Sequence, residues 1–453
     1  MANARATFTE GSVARHVVVM SSTSAVSLFA ILLVDILTLG YVSMLHAPLL
    51  LAAVGIAKVL IFFSSAVSTG FIIAASKVLS ERIGQRASKS FGHLTANLMV
   101  MVLTASGLTA ALQLVFVSPI THWLGADAST YEAARSFIWL TLPFSVLQSA
   151  MQMAAQILRT TGDSRRALWV MLSGAATLAL ADPFFIFVLD LGLVGAGLAY
   201  ALSACVSLSL GVYWVRQRTG LVFSPHLKLL RLHTARTLRV AMPAVVANLA
   251  TPFGLAYLVS TMGTYGVSAL AAMAVIDRVL QFSYCAFFAL PGALTPVFGQ
   301  NIGAQLDDRV RTAIIFTRKL IVTYGVVIWV LLILLATPIA NLYELEGTGR
   351  EVFLAFCRFG GGLWVVIGLD FMAIAVFVTM QRSWLVAVFA WLRATLGTVP
   401  FVLAGTYFFG ASGALPGMFF GNALIALTSI STAALIAKRF FERRARTEGL
   451  GTQ

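Results

Sequence analysis

The chain has 453 residues, 59% of them hydrophobic and only 11% charged, against roughly 25% charged in an ordinary soluble domain. That balance excludes a water-soluble globular protein, because no single core hides so much apolar surface. The net charge of +14 would suggest a nucleic-acid partner in a soluble chain, but its distribution here excludes that reading too: the basic residues cluster in alternate connections between apolar stretches, as orientation signals do.

In chain order, the apolar segments run approximately 16–44, 47–77, 92–118, 132–158, 166–189, 192–216, 240–263, 267–297, 312–340, 351–380, 383–408 and 411–437. Each is long enough for a helix that crosses about 30 Å of hydrocarbon, which takes about 20 residues. Twelve membrane-spanning helices are therefore predicted. The basic clusters Lys77 to Lys89, Arg159 to Arg166, Arg216 to Arg239, Arg309 to Lys319 and Lys438 to Arg446 mark one side of the membrane. The connections on the other side carry His46, Asp127, Asp190, Glu344 and Glu346. The expected location is a cell (inner) membrane, multi-pass, with both termini in the cytoplasm. The first apolar run is too long for the core of a cleavable signal and lacks a small-residue cleavage site, so no leader is expected.

An internal repeat divides the chain. Ala52-Ala53-Val54-Gly55-Ile56-Ala57-Lys58-Val59-Leu60 reads against Ala271-Ala272-Met273-Ala274-Val275-Ile276-Asp277-Arg278-Val279 at an offset of 219 residues. The same offset relates Ile83-Gly84 to Ile302-Gly303 and Gly162-Asp163-Ser164 to Gln381-Arg382-Ser383. Six helices followed by six more, both sets starting on the same side, imply two lobes related by a pseudo-two-fold axis along the membrane normal. The lobes are expected to be residues 1–220 and 221–453, the second including the polar connection Arg216 to Arg239 and the basic tail. Prolines at 143, 183, 243, 291, 296 and 400 are expected to bend or end helices.

Ionisable side chains inside apolar segments are costly and mark functional sites by default. Asp35, in Ile31-Leu32-Leu33-Val34-Asp35-Ile36-Leu37, has no polar sequence neighbour. Asp182, before Pro183, is counted to a similar depth in the same lobe, so the two carboxylates are candidates for sharing a proton or binding a cation. Asp370 is the lone carboxylate of the second lobe, a candidate substrate or cation site together with Asn248. Lys58 and Asp277 occupy matching repeat positions with opposite charge and form a candidate cleft ion pair, with Arg278 as the competing partner of Asp277. Cys205, Cys285 and Cys357 have no metal-ligand spacing, and neither a disulfide framework nor a metal site is expected. No catalytic cluster of His, Asp and Glu is found, so an enzyme is not expected.

Several stretches together resemble the multidrug and toxic compound extrusion (MATE) family. Leu51-Ala52-Ala53-Val54-Gly55-Ile56 is similar to that family's second-helix start, and Leu158-Arg159-Thr160-Thr161-Gly162-Asp163-Ser164-Arg165 to its L-R-G-T-G-D-T-R loop. Val194-Gly195-Ala196-Gly197-Leu198-Ala199 and Gly299-Gln300-Asn301-Ile302-Gly303-Ala304 match two further signatures. The resemblance implies a V-shaped central cleft between the lobes and export of organic cations in exchange for inward H+ or Na+, with no cofactor beyond the coupling ion. Asp35, Asp182 and Asp370 fall at carboxylate positions of the family. Leu178 and Tyr200 stand where sodium-type members carry Asn and Thr, which favours H+ over Na+. A monomer in the bilayer, handling small organic cations and no nucleic acid, is the expected state. A flippase for lipid-linked saccharides and a membrane-embedded enzyme are the alternatives weighed, and a major-facilitator motif is only faintly echoed in Glu81-Arg82-Ile83-Gly84-Gln85-Arg86.

Overall fold

The computed structural model describes residues 6–45, 48–86, 91–123, 128–221 and 227–450. His46, Lys89 and Asp127, three of the connection residues singled out above, lie outside them. Among the described residues there are helices and turns and no strands. In chain order the helices are α1 (Val13–Ser43), α2 (Pro48–Gly84), α3 (Phe91–Val115), the short α4 (Val117–Trp123), α5 (Ala128–Thr160), α6 (Ser164–Pro183), α7 (Gly192–Thr219) and α8 (Leu227–Gly263). They continue as α9 (Val267–Ser283), α10 (Cys285–Gly303), α11 (Asp307–Leu342), α12 (Gly347–Ala355), α13 (Gly361–Thr379), α14 (Trp384–Ala394), α15 (Val399–Phe409) and α16 (Ala411–Leu450).

Ten helical stretches among the described residues are long and apolar enough to cross a membrane, and α9 with α10, bent by 43°, makes an eleventh. The remaining expected span is α5. Its 33 residues reach about 50 Å at 1.5 Å per residue, but its composition is more polar. The polar groups are turned inward: Thr141, Ser145, Ser149, Gln156 and Thr160 are all buried, and α5 packs chiefly against α2, α7 and α3. Gln156 Nε2 donates to Ser76 Oγ of α2 at 3.0 Å. On α2 and α3, Ser64 Oγ donates to Gln113 Oε1 at 2.7 Å and Gln113 Nε2 donates to the Leu60 carbonyl at 2.9 Å. Such bonds are what permit polar side chains at membrane depth, where an unsatisfied group costs several kcal/mol.

The chain forms two compact units, one of Met1–Glu10 with Ser22–Val245 and the other of Gly11–Ser21 with Val246–Gln453. The connection Arg216 to Arg239 is shorter than the run of polar residues suggested. α7 ends in a left-handed Gly220 cap, and α8 already begins at Leu227.

The 219-residue repeat is visible in the backbone. Gly162 and Gln381 both adopt positive φ (86° and 63°), and so do Arg86 and Gln305 (52° and 61°). Each pair is separated by that offset, so the same turns close the corresponding helices in both units. Gly162 opens the turn into α6: Asp163 caps that helix by accepting from the Arg166 backbone N–H at 3.2 Å, and a Cβ on Gly162 would approach Thr7 Oγ1 to 2.6 Å.

The units differ where helices break. In the first, α3 breaks into α4 at Phe116 and a π segment, Phe184–Val188, follows Pro183. In the second, α9 breaks into α10 at Tyr284, the π segment Phe356–Gly360 joins α12 to α13, and α14 unwinds before Pro400 starts α15. Two tyrosine hydroxyls take up the carbonyls at these breaks. Tyr324 donates to the Ser283 carbonyl at 2.6 Å and Tyr284 to the Gly361 carbonyl at 2.7 Å. The break at Tyr284 is stacked against Phe287 and Trp364, and the prolines at 291 and 296 lie within α10 rather than at its bend.

Candidate coupling site in the N-terminal unit

Three charged residues of the first unit, Asp35, Lys58 and Asp182, come together from three helices. Asp35 and Thr38 lie one turn apart on α1, so their side chains share a face. Lys58 comes from α2, Asp182 from the last turn of α6 and Tyr200 from α7. The Thr38 hydroxyl donates to Asp182 Oδ2. Asp182 is fully buried, and its other oxygen, Oδ1, has no hydrogen-bond partner. Lys58 Nζ lies 4.0 Å from Asp35 Oδ1 and donates to the Asp35 backbone carbonyl at 3.5 Å. Asp35 and Lys58 are more open, with side chains 47% and 34% exposed. Lys58 and Asp35 act electrostatically on Asp182, and Asp35 acts on Tyr200.

The scaffold around this group is apolar. Val42, Ala53, Val54, Ala57 and Leu60 form one buried cluster with Ile186, Leu193 and Ala196, so Lys58 projects from a helix whose neighbouring positions are core. Asp182 stands at the end of α6, just before Pro183 and the π segment. Proline supplies no N–H, so the backbone there departs from the regular helix directly beside the carboxylate.

The structure brings Asp35 and Asp182 together through Thr38 and Lys58, neither of which was assigned to them from sequence. Lys58 was matched to Asp277 by the repeat offset. Within the first unit it engages Asp35, and within the second Asp277 accepts from Gln281 Nε2 at 2.6 Å, one turn along α9. Arg278 and Asn248 are partly buried on α9 and α8. Among the described residues, no group of three or more His, Cys, Asp or Glu is placed to hold a metal ion.

Asp370 of the second unit has a partner that sequence reading missed. Its carboxylate is 1% exposed, and its Oδ2 accepts from Arg393 Nη1 of α14, while Oδ1 is buried without a partner. Arg393 stands two residues before the unwound stretch that ends at Thr398, whose hydroxyl donates to the Arg393 carbonyl at 2.8 Å. A lone arginine within the apolar run 383–408 was the available signal.

The repeat positions of the two first-unit carboxylates have other duties in the second unit. Gly254, equivalent to Asp35, abuts the end of α14, where a Cβ would come within 3.3 Å of the Ala394 Cα. Phe401, equivalent to Asp182, packs its ring against Phe420. Close packing there excludes a second copy of the acidic pair.

The described helices are long and apolar enough to cross a membrane many times, and the buried carboxylate Asp182 stands beside a helix break. The chain belongs to the MatE family, whose model matches residues 23–184 and again 243–403. The two matches begin 220 and end 219 residues apart, the spacing of the repeat read from the sequence. The chain is 24% identical to the FAD transporter of Shewanella oneidensis over 86% of this chain and 87% of that protein. It is 21% identical to the multidrug export protein MepA of Staphylococcus haemolyticus over 68% and 69% of the two chains. The crystal structure of a point mutant of the Vibrio cholerae MATE transporter VcmN superposes with a TM-score of 0.89 at 20% identity, covering 97% of this chain and 99% of that one. The twelve-helix, two-lobe fold expected from sequence is therefore the fold of this protein.

Proposed function

We propose that this protein exports amphipathic organic cations across a cell membrane in exchange for protons, with Asp35 and Asp182 as the coupling carboxylates. The observation that carries the reading is the half-satisfied state of Asp182: Thr38 fills one buried oxygen and leaves the other without a donor. A proton is the smallest group that satisfies such an oxygen, and it removes the charge whose burial is costly. Asp35, one turn from Thr38 and about half exposed, is the group through which a proton or a cationic substrate reaches the buried partner. A substrate cation and a proton then compete for the same carboxylates, and that competition is what links the two fluxes. Residues 1–220 and 221–453 act as the two lobes of an alternating-access cycle, and both termini face the cytoplasm. Asp370, held by Arg393, serves the architecture of the second lobe, and the monomer is the working unit.

Everted membrane vesicles test this directly. Ethidium uptake energised by a pH gradient in sodium-free buffer is expected for the wild type, with a loss of about tenfold or more on Asp35→Asn, the scale of removing one strong charge interaction. Undiminished uptake by Asp35→Asn contradicts the assignment of Asp35.

A second reading is favoured by the relative named a FAD transporter together with Lys58, whose ammonium in the site suits an anionic, aromatic cargo. It predicts that flavin adenine dinucleotide, and not ethidium, is carried in the same vesicles.

A further inference from the structure

In a site read as a cation-coupling site, one of the side chains beside Asp35 is itself a cation. Lys58 Nζ lies 4.0 Å from Asp35 Oδ1 and 3.5 Å from the Asp35 carbonyl oxygen, and its charge reaches Asp182 as well. An ammonium offers three N–H donors and no acceptor. Here it donates to the Asp35 carbonyl oxygen, and its charge beside the Asp35 carboxylate repels a metal ion. Na+ depends on several oxygens at once, whereas a proton needs one. Asp35, Asp182 and Thr38 place side-chain oxygens in the site, and one of these, Asp182 Oδ2, already accepts from the Thr38 hydroxyl.

We infer that Lys58 is the ion-selectivity determinant of this transporter, a tethered cation that stands where a coupling metal ion would bind and so restricts coupling at the N-terminal unit to protons. The inference rests on the coupling role proposed for Asp35 and Asp182 and adds to it a residue and a reason. With both carboxylates ionised, Lys58 leaves the group with one net negative charge. One proton neutralises it. The carboxylate beside Lys58 is Asp35 from α1, and Asp182 from α6 lies within reach of its charge. The second unit uses a different device for its own buried carboxylate, Arg393 against Asp370. The repeat position of Lys58 there is Asp277, so the tethered cation is a property of the first unit and was not inherited by both.

The test uses the purified full-length protein in two assays: ethidium transport into proteoliposomes under an imposed pH or Na+ gradient, and thermal unfolding in sodium chloride against choline chloride at equal ionic strength. Wild type and Lys58→Arg are expected to respond to the pH gradient alone and to show no sodium-specific stabilisation. Lys58→Gln and Lys58→Met remove the charge at similar length and are expected to gain Na+-driven transport by about tenfold over wild type, with a sodium-specific rise in Tm. Proton-driven transport by these neutral variants with no sodium response in either assay overturns the inference. A wild type that sodium stabilises or drives overturns it without any variant. A wild type driven by neither gradient removes the coupling reading itself, which separates the two failures.

Discussion

At Asp370 and Arg393 the energetics of burial are concentrated in two side chains. The carboxylate is 1% and the guanidinium 21% exposed, so each depends on the other to offset its desolvation. Removing one partner leaves an uncompensated buried charge, which costs about 3–5 kcal/mol, whereas replacing both with apolar residues of similar size is often neutral or stabilising. Arg393→Leu is therefore expected to lower the Tm of the purified protein sharply, and the double variant Asp370→Leu with Arg393→Leu to recover most of it. Recovery identifies Asp370 as a structural member of the second unit. The Asp35 and Lys58 pair is different in kind: both side chains are more open and the separation is 4.0 Å. Its loss is expected to show in ion coupling, as set out above, rather than in stability.

At the scale of helices and turns, the left-handed residue at Gly162 fixes how α5 passes into the capped start of α6. Gly162→Ala places a side chain at φ 86° and against Thr7. Left-handed geometry alone costs a residue with a Cβ roughly 1–2 kcal/mol, so a lower Tm by at least that equivalent is expected in a thermal melt, with Gly162→Asn the milder change because Asn tolerates this conformation. The repeat partner Gln381 adopts the same region without being glycine, which explains why the sequence match there was weak although the turn is kept. Helix positions were legible from apolar length because the bilayer imposes it. α5 was legible as a span for the same reason, although its inward polar face lowers its hydropathy. The breaks were only partly legible. Pro183 and Pro400 do sit at irregular backbone, but the bend between α9 and α10 falls at Tyr284, where a tyrosine hydroxyl and stacked rings supply what the backbone lacks, and no proline marks it.

For the whole chain, the duplication was legible because it left both a 219-residue offset and shared turns. The candidate site was legible only in its lone carboxylates. Asp35 and Asp182 stand out as charges without apolar excuse, but which cation meets them depends on helix packing. The repeat offset carries no sign of the packing that sets Lys58 beside Asp35 within the first unit. Arg393 escaped notice because one arginine in a long apolar run resembles an orientation signal until its partner is seen. Divergence between the units has the same origin: Gly254 and Phe401 are committed to packing where Asp35 and Asp182 carry charge, which is why the proposed proton exchange is placed in the N-terminal unit.

The central claim, exchange of organic cation for proton at that unit, is tested most directly by watching the proton. Purified protein is placed in liposomes that enclose a pH-sensitive dye, in sodium-free buffer, and ethidium is added outside. The account predicts that the lumen turns alkaline as ethidium enters, that protein-free liposomes do not respond, and that Asp35→Asn abolishes the signal. Ethidium entry with no change in lumenal pH, or an undiminished signal from Asp35→Asn, would contradict it.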